Sequence, residues 1–137
     1  MAKESGMGMT IGVDDSAGNA QAIGNDITNA TINMADGVQD VTGVNSSGME
    51  RLLLLADLQL TLNGVFNDAA SMSHAVFKNY RTLAASQVGR TVSIVHSGQT
   101  LSDEILFSAY NLTRGADGSL VWTAPGGLAD GGAPAWS

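Results

Sequence analysis

Cysteine is absent, which excludes disulfide staples and thiolate metal sites. Positive charge is scarce: Lys+Arg number 6 against 13 Asp+Glu, for a formal net charge of −7. The cations Lys3, Arg51, Lys78, Arg81, Arg90 and Arg114 are scattered, not gathered into a stripe. Tight nucleic-acid binding draws most of its affinity from Lys and Arg that displace counterions from phosphates, so that class of function is excluded. With Pro at only 2 positions, little prevents strand edges from pairing with another chain. No apolar run approaches a membrane span, and no membrane partner is expected. Residues 1–8 hold no apolar core of signal-peptide length, so folding in a cytoplasm is the expectation.

What is present is an alternation. In Asp57-Leu58-Gln59-Leu60-Thr61-Leu62-Asn63 every second residue is leucine. Strand side chains point to opposite faces with period two, so the leucines share one face and Asp57, Gln59, Thr61 and Asn63 share the other. Such a strand packs on a core from one side and meets water from the other. Asn29, Thr31 and Asn33 repeat the pattern, as do Thr91 and Ser93. The 137 residues suit one domain, 1–137, able to bury a core.

The remaining elements follow from turn and period signals. Residues 1–8 read as a flexible arm, 9–13 as a short strand, and the Asp14–Asn19 cluster as a turn. Strands are expected at 21–23 and 26–34, with Ile27 breaking the alternation and marking a bulge near Gly24. Residues 35–49, rich in Gly, Asp, Asn and Ser, read as an interaction loop. Leu52–Leu55 has two readings. Ser47-Gly48-Met49-Glu50 resembles a capping box ahead of a helix, yet the leucines run into the alternating strand with no stop signal. The spacing of Ala69, Met72, Val76, Tyr80 and Leu83 predicts one helix over 68–86, capped by Asn67 or Asp68 and ended by Gly89. Further strands are expected at 90–96, 101–113 and 119–124, with turns at Ser97-Gly98 and 115–118; Pro125-Gly126-Gly127 ends the last, and 126–137 forms a tail. The fold class is mainly β: a β-sandwich or open barrel of about seven to eight strands with one flanking α-helix.

Catalytic chemistry finds little support. His74 falls on the expected helix and His96 at a strand end, and nothing fixes the geometry a triad needs. Asp14-Asp15 lacks the alternating ligands of a calcium loop, and Asp103-Glu104 point to opposite faces of a strand. No phosphate-cradling glycine loop is present, and no cofactor is expected. Trp122 at a strand centre reads as core. Open polar sheets point instead to self-assembly. Other classes remain in play: a capsid decoration protein or other self-assembling virion protein, a carbohydrate-binding β-sandwich using an exposed Trp122, and, last, a hydrolase.

The order of elements resembles the major tail tube protein of long-tailed, non-contractile bacteriophages. The resemblance rests on the strands divided by the 35–48 loop, on Leu60-Thr61-Leu62-Asn63-Gly64-Val65-Phe66-Asn67-Asp68 running into the helix, on Arg90–His96, and on the ending Leu120-Val121-Trp122-Thr123-Ala124-Pro125 followed by residues 129–136. It implies a non-enzymatic virion protein, made in the host cytoplasm, that forms stacked hexameric rings around a DNA conduit. It implies that Asn29, Thr31, Asn33, Asp57, Gln59, Thr61 and Asn63 line the lumen. It also implies that the loop carrying Asp36, Gln39, Asp40 and Asn45 binds the next ring. The implied partners are further copies of the chain, with tail terminator, tape measure and distal tail proteins; DNA passes without specific binding.

Overall fold

The computed structural model describes residues 3–85 and 87–137. The strands are β1 (Thr10–Asp14), β2 (Ala20–Ala22), β3 (Ile27–Asp40), β4 (Arg51–Val65), β5 (Arg90–His96), β6 (Gln99–Phe107), β7 (Asn111–Arg114) and β8 (Leu120–Leu128), with one short helix, α1 (Ser73–Phe77). They form an 8-stranded antiparallel sheet in the order β2-β1-β5-β6-β8-β4-β3, with β7 beside the first half of β8. The sheet is open and curls on itself. Leu58 and Leu60 of β4 and Ile32 of β3 meet Val92, Ile94, Leu101 and Ile105 of β5 and β6 around a void of about 10 Å³. The mainly-β expectation with one helix therefore holds.

The alternation in β4 does what period two requires. Leu58, Leu60 and Leu62 are buried, Gln59 is exposed, and Thr61 and Asn63 are half-buried. The long-strand reading of Leu52–Leu55 is the correct one, since β4 runs unbroken from Arg51 to Val65. The bulge expected at Ile27 is present as a register shift between Ile27 and Asn29. Positive φ at Ser97 (52°) and Gly98 (76°) gives the tight β5–β6 hairpin its primed twist.

Gly64 is the tightest point of the packing. A Cβ there would lie 2.1 Å from the Asp26 carbonyl oxygen and 2.7 Å from Trp122 Cζ2. Trp122, 1% exposed, donates its indole N–H to the Val65 carbonyl at 2.9 Å and packs against Phe77 and Tyr110. It is core, not a sugar platform.

Several expectations are corrected. The helix over 68–86 shrinks to Ser73–Phe77, and its expected end at Ser86 lies outside the described residues. Asn67 caps a turn instead, its side-chain oxygen accepting from Ala69 N–H. In a continuing helix Tyr80 N–H would bond the Val76 carbonyl. That carbonyl instead accepts from the buried Arg90 guanidinium, and Tyr80 N–H turns to Phe77. Arg90 also donates to the carbonyls of Asn79, Thr82 and Asp14. Gly89 serves close approach, because a Cβ there would sit 2.9 Å from the Ile105 carbonyl oxygen.

The loop expected at 35–49 begins later: residues 35–40, with Asp36, Gln39 and Asp40, lie on β3, while 41–49 form the connecting loop that carries Asn45. The single strand at 101–113 breaks at 108–110, where Ser108 N–H bonds the Pro125 carbonyl and Tyr110 turns into the aromatic cluster. Pro125-Gly126-Gly127 does not end β8. Gly126 passes so close to β6 that a Cβ would meet Ile105 Cγ2 at 2.6 Å, and the strand continues to Leu128, inside the expected tail. Within the expected N-terminal arm, Met9 N–H bonds the Gly6 carbonyl and Glu4 lies 3.8 Å from His96.

Two outcomes test this packing. Gly64→Ala should destabilise the fold by about 3 kcal/mol or more in urea unfolding, since backbone and indole both obstruct the methyl group. Asp103 borders the apolar void, and burial, with the Asp130 charge, raises its pKa above the ordinary 3.8. A carboxyl whose folded pKa is raised binds its proton more tightly in the native state, so its contribution to stability falls as pH rises from 3.8 through the folded value. Asp103→Asn should therefore raise the Tm at pH 7 and lose this advantage near pH 3; a Tm gain independent of pH would contradict the assignment.

Candidate assembly surfaces

The β3–β4 pairing, antiparallel and in register, brings the polar candidates together. Asn29 lies opposite Asn63, Thr31 opposite Thr61, Asn33 opposite Gln59 and Ala35 opposite Asp57. β8 extends three of these rows: Thr123 beside Asn63, Pro125 beside Thr61, Gly127 beside Gln59. β7 adds Asn111 beside Thr123. Cross-strand partners share a face, so the seven candidates form one continuous wall on the side of the sheet away from the core. Thr123 Oγ1 donates to Asn63 Oδ1 at 2.8 Å, and Asp57 Oδ1 accepts from Leu58 N–H at 2.8 Å. Among the described residues of these rows there is no cation and one carboxylate, Asp57.

This part of the sheet, in the order β7-β8-β4-β3, has two free edges. Among the described residues no strand pairs with the outer side of β3, 14 residues long, or of β7, 4 residues long. The edge of β6 is treated differently. The chain end returns along it, with Trp136 bridging Leu101 and with mutual Thr100–Ser137 bonds of 2.9 Å. Trp136 thus packs on its own subunit.

Beyond Ala35 the β3–β4 hairpin leaves the core as an arm. Leu54 and Leu55 together face Gly37, a second bulge, and past it Val38 pairs Leu53 while Gln39 pairs Leu52. A bulge re-aims a hairpin. The arm's leucines are exposed on both faces: Leu52 55%, Leu53 72%, Leu54 53% and Leu55 90%. Runs of this kind belong to strands buried on both faces, and here nothing among the described residues buries them. The arm's tip is built, not loose. Thr42 Oγ1 accepts from Glu50 N–H at 2.8 Å, Val41 N–H bonds the Glu50 carbonyl at 2.9 Å, and Ser46 Oγ donates to Glu50 Oε1 at 3.0 Å. Asp40 accepts the side-chain and backbone donors of Thr42, which hold its carboxyl below the ordinary value. Asp36, Gln39, Asp40 and Asn45 are all exposed on this arm.

Of the groups weighed for chemistry, His74 and Asp15 find structural partners. His74 Nδ1 is 3.1 Å from Tyr110 Oη, its ring beside Phe66. Asp15 accepts from the Ala17 and Asn19 backbone and from Gln21, and these bonds, that of Asn19 foremost, lower its pKa: turn chemistry, as its sequence reads. Sequence reasoning missed Arg90 and Asp26. Asp26 accepts from Asn67 and from Ser73 N–H at 3.0 Å each, fixing the start of α1. Neither carries a local sequence signal, because each bridges segments distant along the chain.

An open antiparallel sheet with a polar wall, free edges and a projecting arm defines the class of fold. Solved structures have a similar overall fold. A chain from the virion of a native gene transfer agent particle superposes with a TM-score of 0.72 at 16% identity, covering 98% of this chain and 99% of that one. A chain from the tail of an empty gene transfer agent particle, solved by helical refinement with C6 symmetry, gives 0.74 at 16% identity over 98% and 99%. No protein-family model and no curated protein matches the sequence. At this identity the likeness is one of fold.

The exposure of the arm's leucines can be tested without disturbing the core. Leu53→Glu with Leu55→Glu should change urea stability by no more than about 0.5 kcal/mol per site, because both side chains are solvated in the single chain. If the arm is a contact between copies, the same pair abolishes self-association in sedimentation velocity. A large loss of stability would mean that the arm packs within its own subunit.

Proposed function

We propose that this chain is a structural, non-catalytic tail tube subunit. Six copies form a ring, rings stack, and the β3–β4–β8 wall lines a bore through which DNA leaves the particle. The observation that carries this reading is the wall itself: strands whose apolar side is core and whose other side has neutral amides, hydroxyls and one carboxylate per copy. A conduit must pass a polyanion without gripping it, and a surface without Lys or Arg offers no counterion-release affinity.

Ring closure follows from the edges. In a heterologous ring the free edge of β3 on one copy joins the free edge of β7 on the next. Four strands in each of six copies, the symmetry of the neighbouring tail structure, give 24 strands. At about 4.8 Å per strand the circumference is about 115 Å before tilt, enough to admit duplex DNA. Asn29, Thr31, Asn33, Asp57, Gln59, Thr61 and Asn63 face inward on this reading. The arm with Asp36, Gln39, Asp40 and Asn45 reaches the adjacent ring.

In the assembled particle, Asp57→Lys should leave tubes intact in negative stain and slow DNA ejection, since it places a cation in each copy's share of the bore. Ejection at the original rate removes Asp57 from the lumen. Protein that stays as discrete small oligomers at high concentration favours a shell-decorating role instead.

A further inference from the structure

One edge of β6 is covered by β8 only in part. Among the described residues β8 pairs Ile105, Leu106 and Phe107 of β6 and none before them. Backbone bonding alternates along an antiparallel strand, so Leu101 and Asp103 bond to β5 while Thr100, Ser102 and Glu104 turn their groups outward. The segment after β8 meets this outward edge at two points. Ala129 N–H bonds the Glu104 carbonyl at 3.0 Å, and Thr100 and Ser137 exchange both of their backbone bonds at 2.9 Å. Between these points the chain leaves the edge through a turn, with Gly132 N–H on Asp130 Oδ1 and Gly131 at a φ of 76°. Pro134 brings no N–H with which to extend a ladder. Among the described residues no backbone bond from this segment reaches Ser102.

Residues 130–137 are lightly held. Trp136 bridges Leu101 but stays 42% exposed, beside an open cleft of about 530 Å³ lined by Glu4, Met9, His96 and Gln99. An indole that filled its site would leave no such space. Two backbone bonds and part of one ring thus fasten the end of this segment, a contact that can open while the core stays closed.

We propose that residues 130–137 are a detachable guard that keeps the β6 edge out of assembly, and that lifting it lets this edge pair with the β6 edge of a second copy. The register selects that occupant. Antiparallel pairing about Ser102 sets Ser102 against Ser102 of the second copy, Thr100 against its Glu104 and Leu101 against its Asp103. Each carboxylate then stands opposite an uncharged residue, and like charges never face each other. Thr100 exchanges one set of backbone bonds for another, and Ser102 gains the bonds that the guard does not give it. Such a pair is isologous and closes at two copies, so it competes with any assembly that must propagate. The guard removes that competitor.

The chain contains no cysteine, so an introduced thiol reports without background. Ser102 is exposed, and Ser102→Cys in dilute protein should stay monomeric on denaturing gels after treatment with a short bismaleimide. Trp136→Ala with Ser137→Pro removes the indole and the N–H that bonds Thr100. Added to Ser102→Cys, this pair should raise cross-linked dimer by about tenfold or more, with nothing larger. Equal cross-linking with and without the guard, or none in either protein, overturns the proposal. Should the guard variant fail to fold, hydrogen exchange on the original protein decides. The Thr100 amide should exchange about tenfold or more faster than those of Leu101 and Asp103, which bond within the sheet. Equal protection of the three would mean that the guard does not lift on its own, and overturns it likewise. Whether tubes form bears on the proposed function and leaves this test unaffected.

Discussion

A strand that is leucine on one side and amide or hydroxyl on the other can sit in only one place, between a core and a polar surface, and its register cannot slip. A shift of one residue in β4 would expose Leu58, Leu60 and Leu62 and bury Gln59, Thr61 and Asn63. Burial of three leucines is worth about 1.5–3 kcal/mol each, so the wrong register is strongly disfavoured. β3 and β8 pair on either side of this strand and inherit its orientation. The polar wall is thus a consequence of the core. The residues that face away from Val92, Ile94 and Ile105 are fixed by those that face toward them.

Around this strand the packing is set by a few close approaches. Gly64 lets Trp122 and the Asp26 backbone meet across β4, and Asp26 in turn anchors the start of α1 through Ser73 N–H. At the other end of that helix Arg90 takes the carbonyls that a longer helix would need. A buried guanidinium is costly unless its donors are used, and burial depresses its pKa while Asp15 and Asp14 oppose the shift. The same residue therefore shortens the helix and ties the 73–82 segment to β1 and β5.

The parts of this structure legible in the sequence were those governed by local periodicity. The two faces of β4, the bulge at Ile27, the Ser97-Gly98 turn and the wall on Asn29, Thr31 and Asn33 all follow from residues within a few positions of one another. What was illegible depended on distant partners. The 3–4 spacing of Val76, Tyr80 and Leu83 is real, but Arg90, remote in sequence, decides where the helix stops. The Gly- and Asp-rich stretch after Ala35 reads as loop, yet its backbone pairs with the leucines of β4 as far as Asp40. Pro125 and the following glycines read as a terminator, while the closeness of β6 to Gly126 demands glycine within a continuing strand. The wall was legible as a set of residues; what it faces is decided outside the single chain.

Core and wall satisfy the sheet within one chain, whereas the arm and the outer edges of β3 and β7 have no strand partner or cover among the described residues. On the proposed reading, that division assigns folding to the core-packed part of the sheet and assembly to what projects from it. The most direct measurement of the central claim is a helical reconstruction of the assembled protein at side-chain resolution. The account requires a hollow tube with Asn29, Thr31, Gln59 and Thr61 on its inner surface and no lysine or arginine facing the bore. A tube with these residues on its outer surface, or with a bore lined by basic side chains, would contradict it.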